Sequence, residues 1–158
     1  MNRDAKKTAL RLIENGVFVL TTQSGDALFG STVTWVTQTS FDPPLVGVAL
    51  RTDSGVYQAV RASRKFALHM LRKDQQSFAA SFFRASIFDE NTINEHRYTL
   101  SANGNPILHD TAAFVECRVE DILQRGDHHV VIGEVVEAGV RDATSSLALS
   151  DTGWSYGG

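Results

Sequence analysis

The chain has 158 residues, 42% of them hydrophobic, and its 15 Lys and Arg against 18 Asp and Glu give a net charge of −3. That length suits one domain over residues 1–158, with a real core and no room for a second domain. The weakly acidic balance, without a basic block, excludes phosphate-driven nucleic-acid binding, and the single cysteine, Cys117, excludes a disulfide framework or a multi-Cys metal site. The opening segment MNRDAKKTALRLIENG has no apolar leader core, and no stretch approaches the roughly 20 apolar residues that cross a bilayer. A cytoplasmic protein without membrane contact is expected.

Asp4 is placed to cap a first helix, in which Ala5, Ala9, Leu12 and Ile13 recur at three- and four-residue steps before Gly16 stops it. Such a short amphipathic helix is expected to pack on something larger. Six runs rich in β-branched and aromatic residues follow, at 17–22, 28–39, 45–50, 66–71, 113–123 and 129–138. Their separators include Ser24-Gly25-Asp26, Asp42-Pro43-Pro44, Asn103-Gly104-Asn105-Pro106 and Arg125-Gly126-Asp127, turn chemistry that suits antiparallel neighbours. Helices at 55–62, capped by Ser54, and at 75–83, capped by Asp74, alternate with strands too rarely for a parallel sheet. Residues 84–105, with Asp89, Glu90, Asn91, Asn94, Glu95 and Asn103, read as a long surface excursion. The pattern predicts a mainly β fold, a small antiparallel barrel with peripheral helices, since closure removes exposed sheet edges.

Three local patterns carry chemistry. The first is Gly30-Ser31-Thr32-Val33-Thr34-Trp35-Val36-Thr37-Gln38-Thr39-Ser40, dense in hydroxyls. In a straight strand Thr32 and Thr34 share one face and Val33 and Trp35 the other, which makes either a binding face or a solvated one. The second is Leu50-Arg51-Thr52-Asp53-Ser54-Gly55, a strand end turning into a helix start. There, free amides, the helix dipole, Arg51 and Ser54 make an anion site, or else Ser54 is only a cap and Arg51 a solvated charge. The third is Gly126-Asp127-His128-His129. Adjacent strand histidines point to opposite faces and cannot chelate one ion, so no metal site is expected. Either one imidazole faces inward toward a bound ring or both lie at the surface. His69, His96 and His109 lack a second ligand at recognised spacing and read as structural or exposed, and Cys117, mid-strand, reads as a buried, inert thiol. The chain has no G-x-G-x-x-G, G-x-x-x-x-G-K-[ST], G-x-S-x-G or H-E-x-x-H, so the common dinucleotide, nucleotide-triphosphatase, hydrolase and metalloprotease readings fall away.

In order and spacing these pieces resemble the flavin reductase-like family, whose fold is an FMN-binding split barrel, Greek-key-like and antiparallel. The likeness covers almost the whole chain. It rests on the hydroxyl-rich strand running into Thr39-Ser40-Phe41-Asp42-Pro43-Pro44-Leu45, the turn from Arg51 to Ser54, Phe66-Ala67-Leu68-His69-Met70-Leu71 followed by Asp74-Gln75-Gln76, and Phe82-Phe83. It also rests on Gly104-Asn105-Pro106-Ile107-Leu108, Phe114-Val115-Glu116-Cys117, and Gly126-Asp127-His128 with Ile132-Gly133-Glu134-Val135. The resemblance implies a homodimer holding FMN, or alternatively FAD, near the subunit boundary, with NADH or NADPH as electron donor.

Thr32, Val33, Thr34 and Trp35 match the strand that in this family runs along the isoalloxazine and ribityl chain. Arg51 and Ser54 match the turn that holds the flavin phosphate, Phe82 a position beside the cofactor, and Arg84 a further charge for the phosphate. His128 matches the histidine of the Gly-Asp-His motif near flavin and nicotinamide, the catalytic position, where it orients rings without serving as an obligatory base. Three residues depart from the pattern: Trp35 is bulkier than the small polar residue expected, Val56 replaces a second hydroxyl, and Ser145-Ser146-Leu147 lacks a proline before a last strand expected at Gly153-Trp154-Ser155-Tyr156. The implied activity is NAD(P)H-dependent flavin reduction, supplying a partner monooxygenase or another acceptor. The alternatives are a flavoredoxin-like, FMN-bound electron carrier that never meets a nicotinamide, and a non-catalytic flavin-binding module.

Overall fold

The computed structural model describes residues 1–158. Its elements are α1 (Arg3–Arg11), β1 (Phe18–Ser24), β2 (Ala27–Val33), β3 (Val36–Ser40), β4 (Leu45–Arg51), α2 (Gly55–Ser63), β5 (Lys65–Met70), α3 (Gln76–Ser81), β6 (Thr92–Ile93), β7 (His96–Leu100), β8 (Pro106–Leu108), β9 (Ala113–Leu123) and β10 (His128–Val140). A seven-stranded sheet runs in the order β2-β1-β5-β9-β10-β4-β3 with every pairing antiparallel, and β6-β7-β8 form a second, small sheet. No helix is long and apolar enough to cross a membrane.

The run expected as one strand over 28–39 is two. β2 ends at Val33 and β3 begins at Val36. Between them the Val36 amide turns back to the Thr34 carbonyl at 3.1 Å, while the Ala49 amide of β4 donates to the Trp35 carbonyl at 3.0 Å. Because β2 and β3 are the two edges of the large sheet, this bend carries the chain from one edge to the other. The sheet therefore curls into a barrel whose seam lies beside residues 34–35.

Two apolar clusters fill the fold. One packs α2, through Val56, Tyr57 and Val60, against inward residues of the barrel such as Leu20, Val48, Phe66 and Val131. The other packs α3, through Phe78, Ala79 and Phe82, against Val17, Val19, Ile93, Leu108 and Leu147. Gly133 sits at a register shift between β9 and β10, and a Cβ there would lie 2.7 Å from that of Cys117 and 2.8 Å from the Phe66 ring. Burial pushes the Cys117 thiol up to about 12, so it is inert as the sequence suggests.

Several expected elements differ. α1 is capped by Asn2, whose Oδ1 accepts from the Ala5 amide at 3.0 Å, and Asp4 lies in its first turn. No residue of α1 is buried, and Leu12 and Ile13 beyond it are exposed, so it does not pack as expected. α3 is shorter than 75–83 and is not capped by Asp74: Gln75 precedes it, its side chain accepting from the Arg72 amide at 2.9 Å and donating to the Asp110 carbonyl at 2.6 Å. The excursion over 84–105 holds β6 and β7, ordered by Asp89, which accepts from the amides of Asn91 and Thr92, and by Asn94, which bridges the Ile87 amide and the Ser81 carbonyl. Residues 153–156 form no strand.

Polar groups tie the small sheet to the barrel. Glu116 of β9 is buried and accepts from Ser101 Oγ at 2.5 Å, Asn105 Nδ2 at 3.0 Å and Asn103 Nδ2 at 3.3 Å, which accounts for the Asn-Gly-Asn-Pro turn. His69 is fully buried, donating from Nδ1 to the Val19 carbonyl and accepting at Nε2 from the Leu108 amide, each at 3.1 Å. Both of its nitrogens are used, so it is structural. His96 stacks on Phe78 with ring centroids 3.9 Å apart, and His109 bonds Thr99 Oγ1 at 2.7 Å.

Candidate functional site

Strand register builds the site. β4 pairs antiparallel with β10 so that Arg51 stands opposite His128, and the Thr52 amide donates to the Asp127 carbonyl at 3.0 Å. The Gly-Asp-His turn is thereby fixed beside the strand-to-helix turn at 51–54. The bend at 34–35 reaches the same place through its bond to Ala49. Together with the end of α3 and residues 149–156, these segments enclose a cavity of about 710 Å³ lined in part by Thr32, Val33, Thr34, Trp35, Arg51, Ser54, Phe82 and His128. That volume is ordinary for a cofactor or small-molecule site.

The bend defeats the two-face alternation expected of a straight strand: Thr32, Val33, Thr34 and Trp35 all line one cavity. The amides of Thr34 and Trp35 have no bond within the chain, and the Thr34 hydroxyl is a buried group without a partner. Unmet donors on a cavity wall are what an acceptor-rich planar ligand would satisfy. Thr32 is committed elsewhere, its hydroxyl donating to the Ala79 carbonyl at 2.5 Å and its amide to the Phe82 carbonyl at 3.4 Å, so it fastens α3 to β2. Gly30 makes that approach feasible, since a Cβ there would meet the Phe82 ring at 2.8 Å.

Ser54 is the N-cap of α2, accepting from the Tyr57 amide at 3.2 Å, and the amides of Gly55 and Val56 at the helix start carry no partner. Arg51 is held by Asp53 through two contacts, Nε to Oδ1 at 3.0 Å and a terminal nitrogen to Oδ2 at 2.5 Å. The Arg51 guanidinium holds the Asp53 carboxyl below its ordinary range. Both side chains are more than half exposed, so this pair is weak. Arg84 does not line the cavity; it pairs with Glu95 at 3.4 Å.

His128 Nδ1 lies 2.8 Å from Asp127 Oδ1, and Nε2 lies 2.7 Å from the Tyr156 hydroxyl. Since a carboxylate only accepts, Nδ1 carries the hydrogen and Nε2 of the neutral ring is left to accept from the phenol. The bond to His128 lowers the Asp127 carboxyl, whereas burial raises the Tyr156 phenol. The indole of Trp35 rests against both, 4.6 Å from the His128 ring and 5.2 Å from that of Tyr156. The sequence reading missed Asp53, Phe83, Trp154 and Tyr156 as cavity-lining residues. Only the aromatic density of 153–156 signalled any of them.

The family model for the flavin reductase like domain matches residues 10–155. The chain belongs to that family. It is 31% identical over 142 residues to an NADH:FMN oxidoreductase of Rhodococcus erythropolis, covering 90% of this chain and 73% of the relative. Among solved structures, the styrene monooxygenase flavin reductase of Pseudomonas putida S12 shares 28% identity at a TM-score of 0.78, covering 95% of this chain and 94% of that one. The NADH:FAD oxidoreductase of Streptomyces globisporus C-1027, solved with NAD and FAD fragments, shares 25% identity at a TM-score of 0.80, covering 96% and 92%. As a flavin reductase-like split barrel, the chain has the fold its sequence resembles, and it is an oxidoreductase of the flavin-using kind.

Proposed function

We infer that the chain is an NAD(P)H-dependent flavin reductase whose reduced flavin is handed to a separate monooxygenase or another acceptor. One observation carries the reading: partnerless amides at 34–35, a guanidinium beside a free helix N-terminus, and a carboxylate-oriented histidine converge on a single cavity of about 710 Å³. A flavin held there by these residues would supply the redox chemistry, hydride exchange with a nicotinamide.

The protein's own residues bind, orient and exclude water. The amides of Thr34 and Trp35 would donate to ring acceptors, and their fixed placement favours the more anionic reduced state. Arg51, with the Gly55 and Val56 amides at the positive end of α2, would hold the phosphate, Arg51 leaving Asp53 to do so. Val33, Val56 and Phe82 keep the inner wall apolar and dry. Asp127 fixes the tautomer of His128, which presents Nε2 as a hydrogen-bond acceptor to an incoming ring. No proton-abstracting side chain is required.

The monooxygenase partner is supported by the naming of the Pseudomonas relative as the reductase of a styrene monooxygenase. A homodimer belongs to the same reading and is supported by large apolar side chains left exposed on the barrel, including Phe41, Val136 and Val140. A free, buried cysteine suits a reducing cytoplasm. Anaerobic mixing of the flavin-loaded protein with NADH or NADPH tests the function. Rapid bleaching of the visible flavin absorbance is expected; colour that persists with both donors overturns the reading.

A further inference from the structure

Trp35, His128 and Tyr156 also border a second cavity of about 580 Å³, bounded on its far side by Lys6 and Leu10 of α1. Both spaces share these three rings, which therefore partition them. Two of the rings belong to the barrel wall. The third arrives on residues 153–158, which form neither helix nor strand.

That segment is lightly held. Trp154 packs edge-on against Phe83 at 4.7 Å, with its amide bonded locally to Thr152 Oγ1. Beyond Trp154 no backbone amide bonds the barrel, and the attachments are the Tyr156 hydroxyl on His128 and Arg11 Nε donating to the Gly157 carbonyl at 3.1 Å. Tyr156 remains 40% exposed. A planar ring, partly open to water and fixed through one hydrogen bond to a histidine, is readily exchanged for another planar ring carrying a donor.

We propose that Tyr156 is a displaceable ring that occupies the position at His128 taken by the nicotinamide during flavin reduction, so that residues 155–158 gate the passage between the two cavities. The proposal rests on the flavin reductase reading above. The nicotinamide carboxamide N–H replaces the phenol O–H as donor to His128 Nε2, and the pyridine ring replaces the phenol against Trp35. With the phenol withdrawn the two cavities become one, and Lys6 supplies a cation for the dinucleotide pyrophosphate. Tyr156 thus competes with the electron donor, and the apparent affinity for the dinucleotide is reduced by the fraction of molecules in which the gate is shut.

The test compares the FMN-loaded protein with its Tyr156→Phe and Tyr156→Ala variants. Calorimetric titration with NAD+, which cannot reduce the flavin, reads binding alone, and steady-state assays with NADH separate KM from kcat. Loss of the phenol hydrogen bond in Tyr156→Phe should lower both the NAD+ Kd and the NADH KM about fivefold. Tyr156→Ala should lower them further, with the change carried by KM and not by kcat. Values unchanged or raised in Tyr156→Phe overturn the gate, and that variant, which keeps the ring, decides the matter even if Tyr156→Ala folds poorly. A parent protein that reduces no flavin with either NADH or NADPH defeats the functional reading itself, whereas a parent that reduces flavin beside variants of unaltered affinity defeats only the gate.

Discussion

Acid should loosen this fold through His69, the imidazole that bridges β1 and β8. Desolvation lowers its pKa from 6.5 to about 4, because no carboxylate offsets the burial and both ring nitrogens are satisfied only in the neutral tautomer. In the unfolded chain the same ring takes up a proton near its ordinary value. Between these two pKa values the unfolded state binds more protons, so stability rises with pH. The contribution is fully present above about pH 6.5 and is lost as pH falls toward 4, a change of about 3 kcal/mol at 1.36 kcal/mol per unit. Urea denaturation of the parent and of His69→Gln, at half-unit steps from pH 4 to 8, isolates the residue in the difference curve. That curve should be flat above pH 7 and bend against the parent below 6.5. A flat difference throughout, or a parent that gains stability relative to the variant on acidification, refutes the assignment of a neutral, doubly bonded imidazole.

Ser54→Asp keeps an N-cap of equal quality, so thermal melting should be unchanged, while a new charge at the phosphate turn weakens FMN binding about fivefold and leaves riboflavin binding alone. Fluorescence titrations with the two ligands would detect this, and equal FMN affinity removes α2 from the phosphate site. Gly133→Ala drives a methyl into Cys117 and Phe66, and denaturant unfolding should show a loss of about 1–3 kcal/mol. Thr34→Val deletes a buried hydroxyl that has no partner, so the ligand-free protein should gain about 1 kcal/mol while flavin binds about fivefold more weakly. Loss of stability in the free protein would contradict that account.

Strands with strong β-branched runs were legible: 17–22, 45–50, 66–71, 113–123 and 129–138 all fall within or beside β1, β4, β5, β9 and β10. What escaped local pattern was decided by distant partners. The bend at Thr34 and Trp35 carries no glycine or proline; it exists because β2 and β3 pair with opposite edges of the sheet. The two- and three-residue strands β6 and β8 are too short to signal themselves and depend on each other through β7. α1 takes its cap from Asn2 because that side chain, two residues before Asp4, reaches the Ala5 amide in the first turn. The cavity residues named from the hydroxyl-rich strand, the turn at 51–54 and the Gly-Asp-His motif do converge, since register sets Arg51 opposite His128. Arg84 pairs with Glu95 and is not among the cavity-lining residues, and Tyr156 reaches the cavity from a segment that forms no strand.

The protected sulfur of Cys117 has a practical corollary. With its sole native thiol sealed between β-strands and kept protonated, the protein needs no cysteine-free background for bioconjugation. A maleimide dye added to a chain bearing Ser155→Cys would react at that one address, and a displacement of residues 155–158 on dinucleotide binding would then register directly in its fluorescence.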